Sequence, residues 1–418
     1  VILLKKMKHQ SDILALKYRP TDFKDLIGQE YLVETIQKSI ELNKIPNAYI
    51  FTGIRGVGKT TTARIVAKML NCTAYDQNNR PDLNNCDQAK AISEDRHPDV
   101  IEIDAASNTS VENAREIIEN VKYNPVLGKY KVYIIDEVHM LSKSAFNALL
   151  KTLEEPPPHS KFIFATTEIS KVPITILSRC QRFDLRRIEK KPLFSFLKEI
   201  AKKEKISISK EAINLIVRAS DGSVRDSLSI LDQSNIFKSQ DEIQVEEIIN
   251  MLGFAKQSDL YNLSKYILEN NLPEIIKMLN DMYQRGSETS KIIEDLMNIV
   301  NWSCKLKIDK NLINDEFNTE EDNQFASYVT QYDHGKLNIF WQSLMKGYDE
   351  IKISPHPHTT LEMVLLRCSF LLSDQSSDGS EEKKKSEIAP TSSKPSPILD
   401  QAVQNKIDAT ESVSLKDR

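Results

Sequence analysis

No apolar run in the chain approaches the roughly 20 residues that cross a bilayer, so a membrane-embedded role is not expected. Val1 to Lys8 puts an apolar patch before lysines, the reverse of a secretory signal's order, and no small-residue cleavage site follows. The leading Val points to an unusual start codon or a trimmed chain, with Met7 another possible start. Cysteine is scarce: five residues, scattered at 72, 86, 180, 304 and 368, make a disulfide framework unexpected and a reducing cytoplasm the natural compartment. Neither sign of charge dominates, with 56 basic against 60 acidic residues and a net charge of −4. No global basic field advertises nucleic acid, so any DNA contact must fall to a local basic surface. No internal repeat is visible. What is present, 418 residues with 40% hydrophobic and 28% charged content, fits an ordinary globular chain of two or three domains.

Four zones follow one another. Over residues 12–188, short apolar runs alternate with helical stretches, the pattern of an α/β parallel sheet covered by helices. The runs are Ala48–Thr52, Asp99–Asp104, Lys131–Asp136 and Lys161–Thr166, nearly continuous in apolar residues as strands buried on both faces are. Residues 189–242 read as a small three-helix domain, with Ser209 as an N-cap and Gly222-Ser223 opening a helix through Val224, Leu228 and Leu231. Residues 243–373 continue as helices with no strand signal. They end in Leu361–Leu372, apolar enough to be buried nearly all round in its own domain or against another subunit. Residues 374–418 turn to Ser, Asp, Glu, Lys and Pro and read as a disordered linker or tail, in which Lys383 to Lys385 are solvated.

Gly53-Ile54-Arg55-Gly56-Val57-Gly58-Lys59-Thr60 follows an expected strand and opens an expected helix, the context a phosphate-binding loop requires. Its glycines let backbone N–H groups face the phosphates, aided by the helix dipole. Lys59 reaches the β- and γ-phosphates, Thr60 can ligate Mg²⁺, and Thr61 completes the set of nucleotide-binding residues. About 75 residues later the apolar Val132–Ile135 run ends in Asp136-Glu137. Asp136 suits magnesium, and Glu137 suits activation of the attacking water. Thr166-Thr167 ends the next strand, where a hydroxyl can hold the water or the γ-phosphate, Thr167 ahead of Thr166. These residues together point to hydrolysis of ATP with Mg²⁺, not binding alone. Asp136-Glu-Val-His139 also has the pattern of a superfamily-two helicase. The helices after 189 leave no room for the second sheet domain that such helicases need, so His139 is read as a helix-start residue.

With these residues assembled, the chain resembles an AAA+ ATPase of the gamma/tau family of clamp-loader subunits of bacterial DNA polymerase III. The resemblance runs from about Leu14 to Leu372 and is carried by Lys17–Glu30, Ile101–Asn108, Lys131–Ser142, Phe146–Pro156 and Ile176–Phe183. It implies a RecA-like sheet domain, a lid, and a helical collar over 243–373 for oligomerisation. It implies an ATPase within a DNA-directed DNA polymerase holoenzyme, a nucleotidyltransferase, whose motor does not itself polymerise. Arg179 matches the arginine finger that reaches a neighbour's nucleotide, and Arg225 the lid sensor that touches the γ-phosphate in its own chain. Tyr18, Arg19, Ile27 and Gly28 match the segment that encloses adenine. The partners implied are other clamp-loader subunits in a pentameric ring, the sliding clamp and primed DNA, in the cytoplasm at the nucleoid.

Two departures stand out. Family members carry four zinc-binding cysteines after the loop helix; here Cys72 and Cys86 remain, with Leu83 and Ala89 in the other two places, so zinc is not expected. Asn108-Thr-Ser110 stands where an Arg-Gly pair is common. His356-Pro-His358 reads as a loop into the final helix, not a metal site. Two rival readings share the first two zones: a non-hydrolysing scaffold, disfavoured by the intact catalytic residues, and a branch-migration or recombination motor. The latter's winged-helix DNA reader needs a strand pair that residues 243–373 lack. The longer family form continues into domains for the polymerase and the replicative helicase, so a short form or a fragment is expected.

Overall fold

A computed structural model describes residues 13–76, 81–237, 241–309 and 320–374. The expected tail from 375 onward lies outside the described residues. Five parallel strands form one sheet: β1 Ala48–Thr52, β2 Val100–Asp104, β3 Lys131–Asp136, β4 Ser160–Thr166 and β5 Gln181–Asp184, in the order β2-β3-β4-β1-β5. Of the three inner strands, β1 and β4 are buried at every position and β3 at all but its ends, which is why their sequences are so largely apolar. The fifth strand is absent from the sequence pattern. Its sequence Gln-Arg-Phe-Asp buries only Phe183, as an edge strand covered on one face does.

Register aligns Thr52 with Thr166 and Asp104 with Asp136, so the carboxyl ends of β1, β3 and β4 lie side by side. In open parallel sheets that edge is where ligands bind. The helix Lys59–Asn71 leaves β1 there and is buried over most of its length. On the other face of the sheet, Tyr133, Phe162 and Phe164 stack in sequence under helices Val111–Val121 and Lys143–Glu154.

Helices Lys190–Lys203, Lys210–Ala219 and Val224–Phe237 form the small helical unit. The Ser209 hydroxyl accepts the Ala212 N–H at 3.2 Å and the Ser223 hydroxyl the Asp226 N–H at 3.2 Å, so both expected helix starts are capped. Leu193, Leu197, Ile216, Leu228 and Leu231 join Tyr49, Phe51, Ile65 and Val66 in one continuous core. Each fully buried aliphatic side chain there contributes about 1.5–3 kcal/mol, so the unit is packed onto the sheet domain, not tethered beside it.

Beyond it, the described residues are helical: Val245–Leu252, Gln257–Leu268, Leu272–Gln284, Thr289–Ile308, Glu320–Val329, His334–Ile353 and Pro357–Asp374. From Leu260 to Leu372 they enclose a separate core. Two of these helices approach so closely that a Cβ on Gly347 would overlap the side chain of Val364. The last helix is less buried than its composition implies. Leu361, Val364, Leu365, Cys368 and Leu372 face the core, whereas Met363, Phe370 and Leu371 are 62%, 60% and 45% exposed. Pro357 opens this helix, so His358 lies in its first turn and His356 alone precedes it. Among the described residues, no helix is long and apolar enough to cross a membrane.

Candidate nucleotide site

The loop between β1 and the helix at Lys59 carries three glycines with positive φ, Gly53, Gly56 and Gly58. At Gly56 the need for glycine is doubled: φ is +75°, and a Cβ would collide with the Ser223 hydroxyl. The Arg225 N–H donates to the Gly56 carbonyl at 3.2 Å. The start of the helix that carries Arg225 is therefore docked directly on the loop.

Lys59, 5% exposed, folds back to donate to the carbonyls of Gly53 at 3.1 Å and Ile54 at 3.0 Å. Burial pushes its ammonium below the ordinary lysine range, opposed by the carboxylates of Glu137 and Asp136. The Thr60 hydroxyl donates to Asp136 Oδ2, while Asp136 Oδ1 accepts the Glu137 N–H at 2.9 Å. Glu137 adopts the left-handed conformation, φ 45° and ψ 46°, a strained state for a side-chain-bearing residue. This turn brings its carboxylate back over the sheet edge, 4.0 Å from Lys59 Nζ. Glu137 Oε2 accepts both the N–H and the hydroxyl of Thr167, each at 3.0 Å. Thr166 points elsewhere: it is fully buried, with its hydroxyl 3.0 Å from His139 Nδ1. Five of the expected residues, Lys59, Thr60, Asp136, Glu137 and Thr167, thus meet in one cluster.

The expected adenine segment borders the same loop. Arg19 Nε donates to the Thr61 hydroxyl at 3.2 Å. Burial, and then the charge of Arg64, lower its pKa. The Tyr18 hydroxyl donates to Glu204 of the helical unit, a bond that helps push its pKa up to about 12. Ile27 packs against the core, and Gly28 lies against Ile188, where a Cβ would be 3.0 Å from its Cδ1. Gln29 lies within the Lys17–Glu30 stretch, but the sequence assigns it no role. It is 4% exposed, its Nε2 donates to the Arg186 carbonyl at 2.8 Å, and its Oε1 accepts the Arg186 N–H at 3.2 Å. This pair fastens the segment to the link between β5 and the helical unit.

Arg179 stands apart. Its guanidinium donates to the Thr175 carbonyl at 2.5 Å, to the Ser178 hydroxyl at 3.3 Å and to Glu154, and it remains 31% exposed. Cys72 and Cys86 lie together in the core with Leu83 and Ala89. Cys72 Sγ contacts the carbonyls of Ala74 at 3.1 Å and Asp82 at 3.6 Å. Burial and the Cys86 thiol push the Cys72 thiol up to about 12. Burial also opposes ionisation of Cys86, yet the surrounding backbone N–H groups and the Cys72 thiol bring it down to about 7. Asn108 Nδ2 donates to the Asp104 carbonyl at 3.0 Å.

The sheet order, the phosphate loop after β1 and the helical unit docked upon it define an AAA+ ATPase. Family descriptions match in three stretches: "DNA polymerase III, delta subunit" over residues 28–189, "DNA polymerase III clamp loader subunit, ATPase lid domain" over 194–239 and "DNA polymerase III subunits gamma and tau domain III" over 243–379. The chain is 39% identical to DNA polymerase III subunit gamma of Buchnera aphidicola subsp. Schizaphis graminum, over 85% of this chain and 97% of that one. It is 36% identical to subunit tau of Salmonella typhimurium over 85% of this chain and 55% of that one, and 39% identical to subunit tau of Bacillus subtilis over 84% and 62%. The chain belongs to the gamma/tau family of DNA polymerase III subunits. It spans nearly the whole gamma relative and little more than half of the tau relatives. Among solved structures, the RuvB Holliday junction branch migration motor of Thermotoga maritima aligns over 63% of this chain and 85% of its own at a TM-score of 0.43 and 18% identity, a likeness from which nothing about function is drawn.

Proposed function

We propose that this chain is an ATP-hydrolysing motor subunit of a sliding-clamp loader, working in the cytoplasm within the DNA polymerase III holoenzyme. It acts with other loader subunits in a five-membered ring, on the clamp and on primed DNA. Residues 12–188 form the nucleotide domain, 189–242 the lid and 243–373 the collar. The observation that carries the reading is the convergence of Lys59, Thr60, Asp136, Glu137 and Thr167 at the carboxyl ends of β1, β3 and β4, with the lid docked on the phosphate loop.

The chemistry follows from these groups. Lys59 exchanges its two loop carbonyls for the β- and γ-phosphates. Thr60 and Asp136 already share a hydrogen bond, and two hard oxygen donors at that spot suit Mg²⁺, which supplies charge neutralisation when bound. Glu137, freed from Thr167, orients and deprotonates the attacking water, and Thr167 turns its hydroxyl toward the water or the γ-phosphate. Arg225 follows the γ-phosphate from the lid, while Tyr18, Arg19, Ile27 and Gly28 enclose the base. Arg179, half-buried and bonded to none of the cluster residues, reaches the nucleotide of a neighbour and stabilises the charge that spreads during transfer.

The test is steady-state ATP hydrolysis by the chain mixed with loader subunits, with and without clamp and primed DNA, for wild type and Arg179→Ala. Stimulation that needs the full mixture and vanishes in the variant supports a motor firing across subunit boundaries. Hydrolysis indifferent to clamp and partners favours an independent DNA motor, and none under any condition leaves a scaffold.

A further inference from the structure

His139 lies three residues after Asp136 in a short 3-10 turn, Val138–Met140, and its side chain is 7% exposed. Three oxygens face it. Nδ1 is 3.0 Å from the Thr166 hydroxyl and 3.4 Å from Glu137 Oε2, and Nε2 is 3.5 Å from Glu168 Oε1. Glu168 is also held by Lys171, and its own N–H donates to the Thr166 hydroxyl at 3.1 Å. Glu168 opens the segment that runs through Ile169–Lys171 and Ile174–Leu177 to Arg179. A cleft lined by His139, Lys143, Ile169, Pro173, Ile174 and Leu177 lies beneath that segment.

A neutral imidazole has one N–H and one lone pair, so it can donate toward only one of two carboxylates at a time. With the proton on Nδ1, His139 supports Glu137 and the Thr166 hydroxyl. With the proton on Nε2, it supports Glu168, and Nδ1 accepts from Thr166. Whichever way Glu137 turns, the imidazole's offer to Glu168 changes with it.

Resting on the hydrolytic reading above, we infer that His139 is a positioning residue that ties the Glu137 carboxylate to Glu168 and so to the segment presenting Arg179. It does not touch the nucleotide. It sets where Glu137 rests and reports that position to the arm that serves the neighbouring subunit.

The test uses His139→Ala and His139→Asn in the full loader mixture with clamp and primed DNA. Positioning predicts an ATP affinity within about twofold of wild type for both, and for His139→Ala a kcat lower by roughly tenfold or more with little change in KM. His139→Asn keeps a donor near the Nδ1 place and restores kcat to within about threefold of wild type. An unchanged kcat in His139→Ala, or affinity and kcat falling together, overturns the inference, as does an asparagine variant no better than alanine. Amide exchange on the chain alone gives a readout independent of hydrolysis. The Thr167 and Glu168 amides should exchange roughly tenfold faster in His139→Ala while those of β1 stay unchanged, and unaltered protection of the two overturns the inference. If the wild-type mixture hydrolyses nothing, the motor reading falls, and the exchange result alone decides for or against the His139 linkage.

Discussion

The two arginine- and lysine-bearing ends of the sheet domain are built on opposite plans. Around Lys59 the functional groups have partners from the same chain: Lys59 on loop carbonyls, Thr60 on Asp136, Thr167 on Glu137, and the lid on Gly56. Around Arg179 the partners are neighbours on its own short helix and one exposed glutamate, Glu154, itself 50% exposed. The groups at the first end are already brought together by folding. The second is held loosely at the surface, where an ion pair between exposed groups is worth about 0–1 kcal/mol and is readily exchanged for a better partner. On the proposed reading, such a subunit would bring a preassembled pocket of its own and lend Arg179 to a neighbour's.

That contrast can be broken at either end. Lys59→Ala should abolish nucleotide binding by the chain alone, measured by titration with a fluorescent ATP analogue, because the loop then loses the one cation folded against its own carbonyls; retained tight binding would refute the loop assignment. Arg179→Ala should lower hydrolysis by about 10³–10⁵-fold in the assembled mixture only. An equal loss of nucleotide affinity in the isolated chain would mean that Arg179 serves its own pocket. Glu137→Gln should keep ATP affinity and cost about 10²–10⁴-fold in turnover, read by phosphate release beside equilibrium binding. Parallel loss of both would remove its water-activating role. Smallest of all, Glu154→Gln should shift the urea midpoint by the equivalent of less than about 1 kcal/mol and leave the chain's ATP affinity alone, since it loosens only an exposed pair.

Much of this is legible in the sequence, for a physical reason. A parallel sheet buried on both faces writes its inner strands as apolar runs, and a phosphate loop writes its glycines and lysine contiguously, so β1, β3, β4 and the Lys59 loop can be read locally. β5 cannot, because an edge strand with one buried residue has no pattern at four residues' length. The role of Gln29 is invisible for a different reason: its two bonds close on Arg186, 157 residues away, and a lone glutamine before a helix carries no sign of that. His139 reads in the sequence as a mere helix start. It does lie in a helical turn, but its burial against Thr166 and Glu168 is imposed by the β3–β4 pairing. The composition of the final helix reads as buried nearly all round. Composition cannot say which of two apolar faces the chain's own core uses, and Met363, Phe370 and Leu371 lie on the face it leaves open.

Gly56 and Ser223 occupy, in effect, a single volume: the hydroxyl of one fills the place where a methyl on the other would be. The two positions lie far apart in sequence, yet position 56 cannot grow while Ser223 stays in place. Room for a side chain at 56 would need a smaller residue at 223 or a lid that has swung away, and even then the positive φ of Gly56 would oppose it. A variant that enlarges position 56 alone would push the start of the helix at Ser223 off the phosphate loop.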